Sequence, residues 1–183
     1  MDAENVLVCG GHKRGSLEVD PYCYSLKMNM AGDTTFFRNT GEVNLNQKRA
    51  YSASVLTNNG WWITGGEIEL NEFGESNTQT VTTSSTELLF KNSSNQELTI
   101  NAGPNLVEEN AHHCAVQLDD THTLIAGGQG RNPEDAYSFY FAFIYDWSTS
   151  TWCSTELLNL QRSGHACVLL PDKRVMMVGG VNN

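Results

Sequence analysis

The chain carries the pair Gly-Gly four times, and each pair closes a short apolar run. The runs are Val6-Leu7-Val8-Cys9 before Gly10-Gly11, Trp61-Trp62-Ile63-Thr64 before Gly65-Gly66, Leu124-Ile125-Ala126 before Gly127-Gly128, and Val175-Met176-Met177-Val178 before Gly179-Gly180. Recurrence at intervals of about 50–60 residues marks a repeat architecture, in which a unit cannot bury its own faces and must stack on its neighbours. Glycine at the same point of every unit fits a backbone bend or close approach that a β-carbon would block.

Alignment on these pairs shows that the preceding segments repeat as well. Arg49-Ala50-Tyr51-Ser52-Ala53-Ser54-Val55-Leu56, Asn110-Ala111-His112-His113-Cys114-Ala115-Val116-Gln117-Leu118 and Arg162-Ser163-Gly164-His165-Ala166-Cys167-Val168-Leu169-Leu170 each lead into a polar turn. The turns are Thr57-Asn58-Asn59-Gly60, Asp119-Asp120-Thr121-His122 and Pro171-Asp172-Lys173. Asn-Gly in the first is a strong hairpin signal because it tolerates positive φ. Strand, tight turn, strand, Gly-Gly is therefore complete three times.

A variable loop follows each internal pair, and then a run that reads as a third strand: Ser85-Thr86-Glu87-Leu88-Leu89-Phe90, and the aromatic stretch 137–145. Fourth strands are expected at Thr151-Trp152-Cys153 and Glu97-Leu98-Thr99-Ile100. The one helix candidate, Leu157-Leu158-Asn159-Leu160, is too short and is bracketed by strand signals. The expected fold class is all-β.

With 183 residues and 39% hydrophobic content, the chain can bury a core of ordinary globular kind. Its 11 Lys plus Arg against 21 Asp plus Glu give a net charge of −10 and a pI near 4.8. Such a surface repels phosphate backbones, which sets nucleic acid aside as a partner. No window approaches the ~20 apolar residues of a membrane-spanning helix, so no membrane partner is expected. The start, Met1-Asp2-Ala3-Glu4-Asn5, lacks the basic and apolar regions of a secretory signal. That favours the cytoplasm, with an extracellular location the alternative for a truncated N-terminus.

The five cysteines, Cys9, Cys23, Cys114, Cys153 and Cys167, are odd in number and lack paired short spacing. They are expected to be free and packed as small hydrophobes rather than joined in a disulfide framework. The sequon Asn92-Ser93-Ser94 reads as a chance match.

In the third unit, Gly127-Gly128 is followed by Tyr145-Asp146 and then by Trp152, seven positions beyond the tyrosine. On these residues the chain resembles the kelch-repeat β-propeller family, within the superfamily that includes galactose oxidase. The resemblance implies four-stranded antiparallel blades, a glycine pair ending each second strand, and a tryptophan packing between blades. The second unit keeps Gly65-Gly66 and Thr86-Glu87-Leu88-Leu89 but has Leu89 in place of the tyrosine and no later tryptophan. The first is weaker still, with Phe36-Phe37 the candidate replacement for the aromatic packing.

The expected organisation is one partial kelch-type propeller over 1–183. It comprises an incomplete blade at 1–48, whole blades at 49–110 and 111–161, and the first half of another at 162–183. Propellers have four to eight blades, so this is an open arc rather than a closed ring, completed by missing blades of a longer chain or by self-association.

Catalytic constellations are sparse. His112, His113 and Cys114 are the densest metal-like cluster, but on a strand alternate side chains point to opposite faces, and only two of the three would converge where structural zinc takes four. His113 and His165 hold equivalent repeat positions, and the resemblance implies a structural hydrogen-bonding role for both. No Gly-x-Ser-x-Gly elbow is present. The expectation is therefore no enzyme, no cofactor and no metal. The alternative is a fragment of a copper-radical oxidase like galactose oxidase, or of a glycan-active enzyme; Cys23 beside Tyr22 and Tyr24 supplies the atoms of a cysteine–tyrosine link without the motif.

What remains is a recognition surface on the loops after the glycine pairs. Its candidates are His12, Lys13 and Arg14; Glu67, Glu69, Glu72 and Phe73 in an acidic loop read as solvated; and Gln129, Arg131 and Asn132. The expected function is a protein-interaction module, as a substrate-recognition or adaptor unit, with a protein partner and a glycan as the alternative ligand.

Overall fold

A computed structural model describes residues 5–13, 18–27, 36–70, 79–92, 97–131 and 136–182. Among them every regular element is a strand, and all pairing between strands is antiparallel. The first sheet has three strands in sequence order: β1 (Asn5–Cys9), β2 (Tyr22–Lys27) and β3 (Phe36–Asn44). The second contains β4 (Ala53–Thr57) and β5 (Gly60–Thr64). A hairpin of β6 (Glu67–Leu70) and β7 (Gln79–Thr82) rises from it before β8 (Thr86–Lys91) and β9 (Leu98–Ala102) complete the order β4-β5-β8-β9.

The third sheet repeats this plan. It has β10 (Cys114–Gln117) and β11 (His122–Ala126), then a hairpin of β12 (Gln129–Arg131) and β13 (Ala136–Ser138), then β14 (Ala142–Asp146) and β15 (Thr151–Ser154), in the order β10-β11-β14-β15. The last sheet is the pair β16 (Ala166–Leu169) and β17 (Val175–Val178). The aromatic stretch 137–145 is thus not one strand. Its first residues pair with β12, and only Ala142–Asp146 joins the sheet, because Gln129↔Ser138 pairing closes the hairpin before the chain returns.

The second, third and last sheets adjoin through their first strands, β4 lying against β10 and β10 against β16, while the first sheet meets the second through β3 and β9 and the two hairpins meet through β7 and β12. Trp62 on β5 is fully buried between the second and third sheets, with the rings of Trp147, Tyr145 and Trp152 at 5.0, 5.6 and 5.9 Å. Its indole N–H donates to Thr86 Oγ1 at 2.9 Å, so this polar atom is satisfied inside the core.

All four glycine pairs take the same unusual backbone. The first glycine of each pair has φ between 57° and 73°, and the second between 91° and 106°. At Gly127 a side chain is excluded by sterics as well, since a β-carbon there would sit 2.7 Å from the Arg162 carbonyl oxygen and 2.7 Å from His165 Cε1. The bend lets the second glycine reach the next sheet. Gly11, Gly66 and Gly128 donate their N–H groups to the carbonyls of Arg49, Asn110 and Arg162, at 3.0, 2.8 and 2.8 Å.

Two sequence expectations are corrected here. Four of the five cysteines are not free thiols: Cys9 is bonded to Cys23 and Cys114 to Cys167, leaving only Cys153 free. Cys9 and Cys23 are register partners on β1 and β2, and Cys114 and Cys167 lie on the adjacent first strands β10 and β16. The repeat, and not short sequence spacing, brings each pair together. The second correction concerns Glu67, which is no solvated loop residue but the buried first residue of β6.

Candidate functional site

The residue two places before β4, β10 and β16 has left-handed backbone in each case: Tyr51 at φ 54°, His112 at 55° and Gly164 at 66°. A bulky side chain in that region costs about 1–3 kcal/mol and persists only where the surroundings impose it. Here they do. The N–H of His112 donates to the Tyr51 carbonyl at 2.9 Å, and that of Gly164 to the His112 carbonyl at 2.8 Å, so this position is strung from sheet to sheet.

These residues lie at the end of the sheets where the glycine pairs bend and the hairpins rise. Because the second, third and last sheets adjoin through β4, β10 and β16, Tyr51, His112 and Gly164 line the margin of that end where these first strands meet, its inner margin. The Tyr51 ring stacks on His112 with centroids 4.0 Å apart and an interplanar angle of 26°, and His12 approaches at 5.1 Å, tilted. Three successive sheets therefore contribute one ring each. Tyr51 remains 50% exposed.

The floor beneath the stack is polar and buried. Glu67 Oε2 accepts from Thr80 Oγ1 at 2.9 Å, and Glu67 Oε1 is 3.6 Å from His112 Nε2. Glu69 Oε1 accepts the Val19 N–H at 2.6 Å, joining the hairpin of the second sheet to the segment after Gly11, and Lys48 lies 4.0 Å from its other oxygen. His12 Nε2 is buried and has no hydrogen-bond partner among the described residues.

The structure brings His12, Glu67 and Glu69 into one neighbourhood. Lys13 stands at the exposed rim, paired with Glu18 at 2.5 Å, which raises its pKa and lowers that of Glu18. Gln129, expected on an open loop, is instead buried in β12 and paired with Ala111. Arg131 ends β12, its backbone opposite Ala136. Arg14, Glu72, Phe73 and Asn132 lie outside the described residues. The sequence reading passed over Tyr51 and set His112 aside. The signal was their alignment with Gly164, since glycine at one copy of a repeated position points to positive φ in the others.

His112 and His113 do not sit on a strand, because β10 begins at Cys114. The turn at His112 sends its ring to the Glu67 side, while His113 is buried with Nε2 2.8 Å from Thr64 Oγ1. Burial, with smaller repulsion from His165 and His112, pushes the His113 imidazole down to about 3. His165 is the equivalent residue, but Ala126 replaces Thr64, and among the described residues neither of its ring nitrogens has a well-formed hydrogen bond. Burial and the Arg162 charge lower its pKa as well.

Among the described residues no three His, Cys, Asp or Glu side chains gather as a metal site would require. Cys23, whose neighbours are Tyr22 and Tyr24, is bonded to Cys9 and so is unavailable for a thioether to tyrosine. The described residues around Cys23 therefore do not supply a cysteine–tyrosine link.

The opposite end of the sheets carries the β-turns and an open groove of about 510 Å³ between Leu56-Thr57-Asn58 and 117–120. Asn58 Nδ2 bridges it to the Asp120 carbonyl at 3.0 Å. Asp119 there is held at about 2, chiefly by the Thr121 N–H and then by His122.

No family model matches the chain, and no curated protein matches it in sequence. Among solved structures, the "Structure of YjhT" matches with a TM-score of 0.66 at 14% sequence identity, over 90% of this chain and 46% of that one. The fold is propeller-like. The chain spans about half the length of the structure it matches, and at this identity the likeness concerns the arrangement of sheets alone.

Proposed function

We propose that the chain is part of a kelch-type propeller that serves as a protein-recognition module, and that the hairpin-bearing end is its recognition surface. The observation that carries this reading is the His12–Tyr51–His112 stack, in which two non-glycine residues hold left-handed backbone to present rings at the inner margin. The fold imposes the left-handed turn on all three copies, but Tyr51 and His112 fill it with rings where the third copy has glycine, and strained non-glycine residues cluster at binding and catalytic sites. A half-exposed tyrosine stacked on a histidine that faces a buried carboxylate offers a rigid aromatic edge and a hydroxyl at low cost in side-chain entropy, the combination favoured at protein interfaces. The kelch identity rests on Gly127-Gly128, Tyr145 and Trp152, and on the shared conformation of all four glycine pairs.

The test is a displayed random-peptide library panned against the immobilised chain, with selected peptides titrated by fluorescence anisotropy. Peptides from a true recognition surface lose about tenfold or more in affinity on Tyr51→Ser and are indifferent to Leu56→Ser at the opposite end. Selection of peptides sensitive to Leu56→Ser alone overturns the placement. No selection at all, with binding on a glycan array that Tyr51→Ser abolishes, replaces the protein partner by a glycan.

A further inference from the structure

Leaving aside the two hairpins β6–β7 and β12–β13, four sheets succeed one another along the chain, and the two with fewer than four strands are each held by a covalent bond. Cys9–Cys23 joins β1 to β2 in the three-stranded sheet, and Cys114–Cys167 joins β10 to β16, anchoring the two-stranded sheet to its neighbour. A lone two-stranded hairpin is marginal in water. In β16–β17 only the face with Cys167, Leu169, Val175 and Met177 turns inward, while Val168, Met176 and Val178 are 45–55% exposed. The crosslink therefore falls where noncovalent burial is thinnest.

We propose that this chain folds in an oxidising compartment and that its working form carries both bonds as permanent structural crosslinks. Each bond forms by thiol–disulfide exchange. Two cysteine thiols give up two protons and two electrons to a disulfide oxidant, which leaves as two thiols. A catalytic or sensing role does not fit the surroundings. One sulfur of each bond is buried, Cys23 fully and Cys114 at 6% exposed, and the other, on Cys9 and Cys167, is partly buried against the core, which narrows the approach of an attacking thiolate. The sequence separations of 14 and 53 residues are unlike a redox-active Cys-x-x-Cys. The one free thiol, Cys153, is on β15, three strands across the sheet from β10 and so about 14 Å from Cys114, too far to resolve the bond. Structural disulfides are rare in reducing cytosol and common in exported proteins.

The experiment uses the whole chain, folded under a glutathione redox buffer and purified without reductant. Iodoacetamide is applied to the native protein before reduction, and peptides are mapped by mass spectrometry. The expected map has Cys153 alkylated and the linked peptides Cys9–Cys23 and Cys114–Cys167. Added reductant is expected to lower the thermal midpoint by about 5 °C or more, the Cys114→Ser/Cys167→Ser protein to show part of that fall, and Cys153→Ser none. Complete alkylation of Cys114 and Cys167 in natively folded, never-reduced protein overturns the proposal. So does a midpoint that reductant leaves unchanged. The mapping is made on the unaltered chain, so it decides the matter even where the double variant does not fold.

Discussion

The Arg49 guanidinium donates to the carbonyl oxygen of Gly65 at 2.6 Å, while the carbonyl of the same arginine receives the N–H of Gly11 from the preceding sheet at 3.0 Å. One residue thus grips two glycine pairs. The relationship recurs one unit later, where Asn110 donates to Gly127 at 2.8 Å and accepts from Gly66. It recurs again where Arg162 reaches Gly179 at 3.3 Å and accepts from Gly128. Side-chain length varies between the three, but position does not. The glycine pair is therefore a junction: its left-handed bend exposes one carbonyl to its own sheet's lead-in residue and one N–H to the next.

Arg49 is also the most demanding of the three. It is 1% exposed and pairs with Glu87 at 2.9 Å, and Glu87 in turn accepts the N–H groups of Asn46 and Gln47. Removing one partner of such a pair leaves a buried charge uncompensated. Arg49→Leu is expected to cost about 3–5 kcal/mol in urea denaturation, and the Arg49→Leu/Glu87→Leu protein distinctly less than the sum of the single changes. Additive losses would show that the pair is not coupled.

His113 makes stability depend on pH with a definite sign. Folded, it stays neutral down to about pH 3; unfolded, a histidine takes up a proton below about 6.5. Between those values the unfolded chain binds more protons, so stability falls as pH falls, by up to about 1.4 kcal/mol per pH unit from this residue. His165, lowered in the same direction, adds to the slope. Denaturation midpoints measured from pH 7.5 to pH 4.5 should decline, and His113→Gln should flatten that decline while lowering stability at pH 7.5.

What the sequence made legible follows from what repeats. Strand, turn, strand, Gly-Gly appears in each copy, so the strands around Gly65-Gly66 and Gly127-Gly128 could be placed from alignment. Pairings across the repeat were not legible, because Cys114 and Cys167 meet only once β10 and β16 are adjacent, and no local spacing announces it. The hairpins were hidden for a related reason. Glu67 heads an acidic segment whose composition reads as solvated, yet its backbone pairs with Ala50 and its carboxylate is buried against Thr80. The Tyr51–His112 stack joins neighbouring repeats at a position where the third copy is glycine, so residue type alone gave no pattern.

Trp62, and not Trp152, is expected to be the costlier tryptophan to lose. Trp152 is partly exposed, with its indole N–H on the Asn105 carbonyl at 3.0 Å, whereas Trp62 is wholly enclosed by three aromatic rings. Trp62→Ala should cost about 3–5 kcal/mol and Trp152→Ala about 2–3, scaled down for exposure. Paired urea titrations followed by circular dichroism give both values, and the reverse order would contradict the packing described.

Tyr51→Gly separates folding from recognition. At φ 54° the tyrosine backbone is strained, and glycine, which already stands at the equivalent position 164, removes that strain, a gain of about 1–2 kcal/mol. Against this stands the loss of one aromatic stack, worth about 0.5–1.5 kcal/mol, and the greater entropy of glycine in the unfolded chain, about 0.5–1 kcal/mol. The opposing terms nearly cancel, so the variant should keep its denaturation midpoint within about 1 kcal/mol of the parent. Binding of library-selected peptides should fall about tenfold or more, because the ring and hydroxyl are gone from the inner margin. A structural role alone predicts the opposite pairing, with stability clearly lowered and affinity of the folded fraction unchanged. Measuring both quantities on one preparation distinguishes the two, and His112→Gly, at φ 55° with its ring beside Glu67, provides an independent repeat of the comparison.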